Sequence, residues 1–286
     1  MLPDLLSIAL RILSFTCLLQ AAGAAVFLTA FGRQLAITAP AIRRIGGISA
    51  IAGAVFVLLH YGLEAGRMAG ALVGIFDSSL QQLVLESSNA PTAAIRILGL
   101  FLIALGMRRE GDFRIACALI GATLAASSFI LTGHTSVHAE RWILAPLLGI
   151  HLLVIAFWFG ALAPLYLISL REPPAQAAKI IEAFSAVASW LVPVILFAGV
   201  LMAVMLIPEL AVLGEPYGAL LLAKVFGFAA LMGLAAANKW RLGPAIASGG
   251  AQAARRLRRS IGTEYVLIVA VIAITAIMTS LFSPEH

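Results

Sequence analysis

Residues 142–170 read WILAPLLGIHLLVIAFWFGALAPLYLISL, and the fold follows from them. The whole stretch passes without one Asp, Glu, Lys or Arg. A helix needs about 20 mostly apolar residues to cross the hydrocarbon core of a bilayer. This run is long enough, and it is continuously apolar rather than alternating. A helix satisfies its backbone within itself, whereas a transmembrane strand shows alternation and needs a closed barrel. Working outward, the same reading picks out eight stretches: Leu5–Phe31, Ile45–Gly66, Pro91–Met107, Phe113–Gly133, Trp142–Leu170, Ala186–Ile207, Tyr217–Trp240 and Ile261–Phe282. The expected fold class is all-α, a polytopic membrane helix bundle forming a single transmembrane domain over residues 1–286. No internal repeat is evident, and no soluble domain fits between the spans.

Composition agrees. Charged residues make up 11% of the chain and hydrophobic residues 62%, with a mean hydropathy of +1.05. A soluble domain carries about a quarter charged residues to face water, so lipid must cover this surface. The net charge of +6 does not point to nucleic acid, because the basic residues sit in short runs between apolar stretches. Cys17 and Cys117 both lie in apolar segments without a CxxC pairing, which indicates neither a disulfide framework nor a thiolate metal site. The opening segment lacks a basic leader and is too long for a signal-peptide core, so it reads as a retained span.

The loops orient the bundle. Arg33, Arg43 and Arg44 follow the first span, and Arg108, Arg109 and Arg114 the third. Arg171 and Lys179 follow the fifth, and Lys239, Arg241, Arg255, Arg256, Arg258 and Arg259 the seventh. Fourteen of the 19 basic residues thus lie on one side, which the positive-inside rule makes cytoplasmic. Both termini then face the periplasm or cell exterior. Trp142, Trp190 and Trp240 fall at expected interfaces, while Gly23-Ala24 and Gly160-Ala161 offer small faces for close helix approach. Pro164 and Pro193 interrupt the fifth and sixth spans.

With this topology all five histidines fall in the outer half. His60 lies near the outer end of span two, and His134 and His138 lie at the outer mouth of span four. His151 sits roughly 13 Å below the outer surface at 1.5 Å per residue, and His286 belongs to a solvated tail. Imidazole suits copper, zinc and iron, so His60, His134, His138 and His151 are the candidate metal ligands. His134 and His138 share a face if the helix continues, or a loop brings them together if Gly133 ends it. A titratable side chain as deep as His151 is costly and usually functional. Met202 and Met205 are softer donors, but they read more readily as packing residues. Glu64, four residues after His60, either holds that ring in one tautomer or pairs with Arg67 or Arg11. Glu264 reads as interfacial.

Several stretches resemble the copper resistance protein D (CopD) family: Gly133-His134, His151, and Trp158-Phe159-Gly160-Ala161-Leu162-Ala163-Pro164-Leu165. Leu221-Leu222-Ala223-Lys224, Ala237-Asn238-Lys239, Leu257-Arg258-Arg259-Ser260 with Glu264, and Pro284 extend the likeness over roughly 130–284. The resemblance implies an eight-span inner-membrane protein that moves copper inward or supports copper tolerance. It also implies a periplasmic copper-binding partner of the CopC kind. The family's membrane histidines match His134 and His151 best. Copper, as Cu(I) or Cu(II), is therefore the expected ligand.

Two alternatives stay open at this stage. In one, His60 and His151 are the axial pair of a b-type haem in a redox protein. Two haems spanning the bilayer would need inner-side histidines, which the chain lacks. The other is a copper-delivery factor for a terminal oxidase. No phosphate-binding loop points to nucleotide-driven pumping. Nothing specifies a catalytic nucleophile with its base, so the expectation is a protein that is not an enzyme.

Overall fold

The computed structural model describes residues 2–109, 111–133, 138–207, 210–242 and 251–282. Among them it contains nine helices and no strand. These are α1 (Leu2–Phe31), α2 (Ala39–Met68), α3 (Ser78–Glu86), α4 (Asn89–Met107), α5 (Gly111–Ser127), α6 (Arg141–Arg171), α7 (Pro174–Leu206), α8 (Pro216–Ala237) and α9 (Ala251–Leu281). All but α3 are long and apolar enough to cross a membrane, which makes eight spans, as expected. The chain is a multi-pass membrane protein.

Helix ends differ from the hydropathy edges mainly on the basic side. α2 takes in Arg43 and Arg44, α7 takes in Lys179, and α9 starts at Ala251 rather than at Ile261. Hydropathy marks where hydrocarbon ends, whereas a helix continues for as long as its backbone gains from intrahelical bonding. Long basic side chains then reach the headgroups from its end turns. α3 is the element hydropathy did not pick out. Asp77 caps it, accepting the N–H of Ser79 at 2.9 Å and of Leu80 at 3.3 Å, so an Asp-Ser-Ser start was its local signal.

α1 is the axis of the bundle. It packs against α2, α4, α5, α6 and α9, and 61% of its most apolar window is buried, against 6% for the span containing α8. Its Ala21, Ala22, Ala24 and Ala25 are fully buried. α2, α4 and α5 form one group beside it; α6, α7, α8 and α9 form the other, with α8 lying outermost on α9. The two groups meet where Gly23 of α1 crosses Gly160 of α6. A Cβ on Gly23 would stand 1.8 Å from the Ala156 carbonyl oxygen and 2.6 Å from Gly160 Cα, so only glycine permits this approach. Gln20, also buried, donates from Nε2 to the Gly160 carbonyl at 3.1 Å across the same crossing. A second glycine pair, Gly99 and Gly121, brings α4 against α5.

Both ends of the bundle are stitched by polar contacts. At the basic end, Glu172 after α6 accepts the N–H groups of Ile37 (3.0 Å) and Thr38 (2.8 Å) and the Thr38 hydroxyl (2.7 Å). One carboxylate from the second group thus caps the first turn of α2 in the other. At the far end, Arg11 of α1 donates to the Thr279 carbonyl at 3.2 Å and to Ser280 Oγ at 2.9 Å. An even number of crossings brings the start and end of the chain to one side, and Arg11 ties them there.

Candidate metal centre

The sequence places His60, His134, His138 and His151 as metal ligands. His134 lies outside the described residues, as does His286. The other three have distinct surroundings, because α2 and α6 belong to different groups of the bundle.

His60 lies about 12 Å from the end of α2 at 1.5 Å per residue, and its ring turns towards α1. Its Nε2 is 3.1 Å from Ser7 Oγ and 4.0 Å from Glu64 Oε1. Glu64 is committed elsewhere: both carboxylate oxygens accept from Arg67 Nη1, at 3.0 and 2.9 Å. Of the two roles the sequence left open for Glu64, the ion pair is the one formed. Asp4 adds a looser contact to Arg67 at 3.7 Å. The charges of Arg11, Arg96 and Arg67 all bear on His60. The Glu64 carboxylate and these guanidinium groups put both signs of charge near the ring, and its direct hydrogen-bond contact is with Ser7.

Arg96 is the member of this network that sequence reading missed. It lies inside α4, donates from Nε to Ser128 Oγ at 2.9 Å, and stacks over Phe129 with 4.2 Å to the ring centroid. Phe15 of α1 meets Phe129 edge-on at 4.7 Å. Among the described residues no carboxylate pairs with Arg96, so aromatic faces and a hydroxyl compensate its charge. A lone Arg near a span end carries no signal for such an arrangement; the two phenylalanines come from other helices.

His138 stands just before α6. Its Nδ1 accepts the Glu140 N–H at 3.0 Å, and its carbonyl accepts the Arg141 N–H. An accepting Nδ1 puts the ring proton on Nε2. Ligation through Nε2 would move that proton to Nδ1 and break the contact with Glu140.

His151 is set in α6 against α7. Gly199 of α7 faces the ring: a Cβ there would make ordinary contact, 3.5 Å from His151 Cε1 and 3.8 Å from Nδ1. Nδ1 is buried without a hydrogen-bond partner of normal geometry, the Ile195 carbonyl being the backbone group it faces. Lys224 of α8 brings a positive charge to the same place. Met202, buried in α7, lies three residues beyond Gly199 and so shares its face. Among the described residues no three of His, Cys, Asp and Glu gather closely enough to hold a metal ion.

Glu264 departs from the interfacial reading. It lies within α9 and is only 3% exposed. Asn238 Nδ2 donates to its Oε1, and the Trp158 indole also points at it. Tyr265, the next residue, stacks on Phe159 with centroids 4.7 Å apart. Burial against Asn238 and Trp158 sets its carboxyl inside the bundle rather than among the headgroups.

Two family models match the chain, one on each side of α6. The copper resistance protein D-like N-terminal domain matches residues 1–141, and copper resistance protein D matches residues 178–278. The first takes in α1, α2, α3, α4 and α5, and the second most of α7, α8 and α9. No curated protein and no solved structure matches the chain.

Proposed function

Since these matches run through both groups of the eight-span bundle, the chain belongs to the copper resistance protein D family, and we propose that it carries copper inward across the bacterial inner membrane. Membership makes it a copper-handling membrane protein; the route, direction and ligands are our reading. Copper enters from the periplasmic side, with His134 and His138 as its first ligands, and passes to His151. Both termini lie on that side, and a CopC-like periplasmic protein supplies the metal. The protein moves its cargo and transforms no substrate, so it is not an enzyme.

The observation that supports this reading is the state of His151. Its buried Nδ1 faces the Ile195 carbonyl, and a ring that directs one nitrogen at a carbonyl leaves the other for a metal. The thioether of Met202 comes from the helix face His151 packs on, and an imidazole–thioether pair suits Cu(I). His60, hydrogen-bonded to Ser7, supports the outer end of the bundle and contributes less to binding.

The test is copper binding to the detergent-purified full chain, titrated with Cu(I) against a chromogenic chelator. His151→Ala is expected to lower the affinity at least about tenfold, the order found for lost metal-site interactions, and His286→Ala to leave it unchanged. Equal effects of the two substitutions would sink the buried site. Haem retained through purification would favour the redox alternative instead.

A further inference from the structure

The basic end of the bundle holds a cavity of about 400 Å³ between the start of α2 and the end of α4. Arg43, Arg44, Ile48 and Ile51 line it from the α2 side, and Met107 and Arg108 from the end of α4. Its size falls in the range of about 300–1,000 Å³ typical of small-molecule sites. Gly47 adds bare backbone to its wall, and the neighbouring Gly46 lets Met107 pack closely on α2. A Cβ on Gly46 would come within 3.0 Å of the Met107 sulfur. Arg44 and Arg108 are exposed and Arg43 is half-buried. Among the described residues no carboxylate lines it.

Its basic and apolar lining residues ask for different chemistry. Guanidinium forks match phosphate oxygens in bidentate geometry, and the exposed Arg44 and Arg108 offer two of them at one cavity. Ile48 and Ile51, 57% and 50% exposed, continue that site down the lipid-facing side of α2. A free phosphate has no use for this apolar wall, whereas an acyl chain has. Basic pockets between transmembrane helices characteristically take anionic headgroups. We infer that this cavity binds an anionic phospholipid, with the headgroup phosphate on Arg44 and Arg108 and one acyl chain along Ile48 and Ile51.

The experiment uses the full chain in nanodiscs of zwitterionic phosphatidylcholine, titrated with phosphatidylglycerol, with bound lipid counted by native mass spectrometry. Phosphatidylglycerol is expected to be retained in preference to phosphatidylcholine. The double variant Arg44→Gln/Arg108→Gln is expected to weaken that binding about 30-fold, since a basic residue at the membrane surface contributes about one kcal/mol of lipid attraction. Arg255→Gln/Arg256→Gln removes the same charge from the same end, outside the cavity, and is expected to retain the lipid. Inorganic phosphate and glycerol phosphate are added as competitors. Failure of either to displace the lipid supports a lipid site, while displacement at comparable concentration would overturn it in favour of a soluble phosphate. Equal losses in the two double variants would also overturn it, because general attraction to charged lipid would then account for the binding.

Discussion

Replacing Gly23 by Ala adds one methyl group at the closest helix crossing in the bundle, and the structure says what it meets. The new Cβ would stand 1.8 Å from the Ala156 carbonyl oxygen, 2.6 Å from Gly160 Cα and 2.8 Å from the Ala156 carbonyl carbon. All three are backbone atoms, so no side chain can rotate aside. Ordinary contact begins near 3.4 Å, which forces α1 and α6 apart by about 1.6 Å along the shortest contact. The Gln20 to Gly160 hydrogen bond, 3.1 Å long, would not survive that displacement. Overpacking costs about 1–3 kcal/mol, and stranding a buried amide costs about 1–3 kcal/mol more. A total of about 2–6 kcal/mol corresponds to a fall of roughly 5–20 °C in thermal midpoint for a chain of this size. The assay is thermal unfolding of the purified protein in detergent, followed by tryptophan fluorescence. Gly62→Ala is the control, because a Cβ there meets nothing within 4 Å, and it is expected to match or slightly exceed the parent. A Gly23→Ala protein melting within about 2 °C of the parent, set against that ~5 °C minimum, would refute the close crossing and the central place of α1.

Other outcomes follow from the same contacts. Burial pushes the Glu172 carboxyl up, but the Thr38 hydroxyl and the amides of Ile37, Thr38 and Ala36 outweigh that and hold it below the usual carboxylate range. A depressed folded value makes its stabilisation present above the unfolded value of about 4.3. Stability should therefore fall as pH drops through the acid range, and Glu172→Gln should flatten that acid limb of a melting-temperature profile. Glu264→Gln keeps an acceptor for Asn238 and should melt near the parent. Glu264→Ala leaves the Asn238 amide without its partner and should lose about 1–3 kcal/mol, read as a lower midpoint in the same assay. A reporter fused after His286 should show periplasmic activity, and cytoplasmic activity there would contradict the inside assignment of the arginine-rich loops.

The candidate site was legible in part. His151 stood out in sequence because it interrupts 29 residues without one Asp, Glu, Lys or Arg. Its pairing with Gly199 and its nearness to Lys224 could not be read, since they depend on which helices flank α6. For Glu64 the chain offered two partners at helical spacing, and the side-chain geometry settled on Arg67. The surroundings of Arg96 could not be read either, because Phe15 and Phe129, which flank its guanidinium, come from elsewhere in the chain.

Spans and orienting charges are local properties. An apolar run either matches the bilayer or does not, and Arg or Lys between runs is visible one residue at a time, so eight helices and a basic end could be read from the chain alone. Helix neighbours are not local. In a membrane, lipid-facing and core-facing residues are equally apolar, and hydrophobicity gives no gradient from outside to inside. Nothing in its hydropathy marks α1 as the axis, or the span containing α8 as the edge: the two average 1.8 and 2.0. What placed α1 at the centre was shape: small residues at Gly23 and Gly160 let two backbones touch, and close packing of that kind is a property of helix pairs that only the tertiary structure decides.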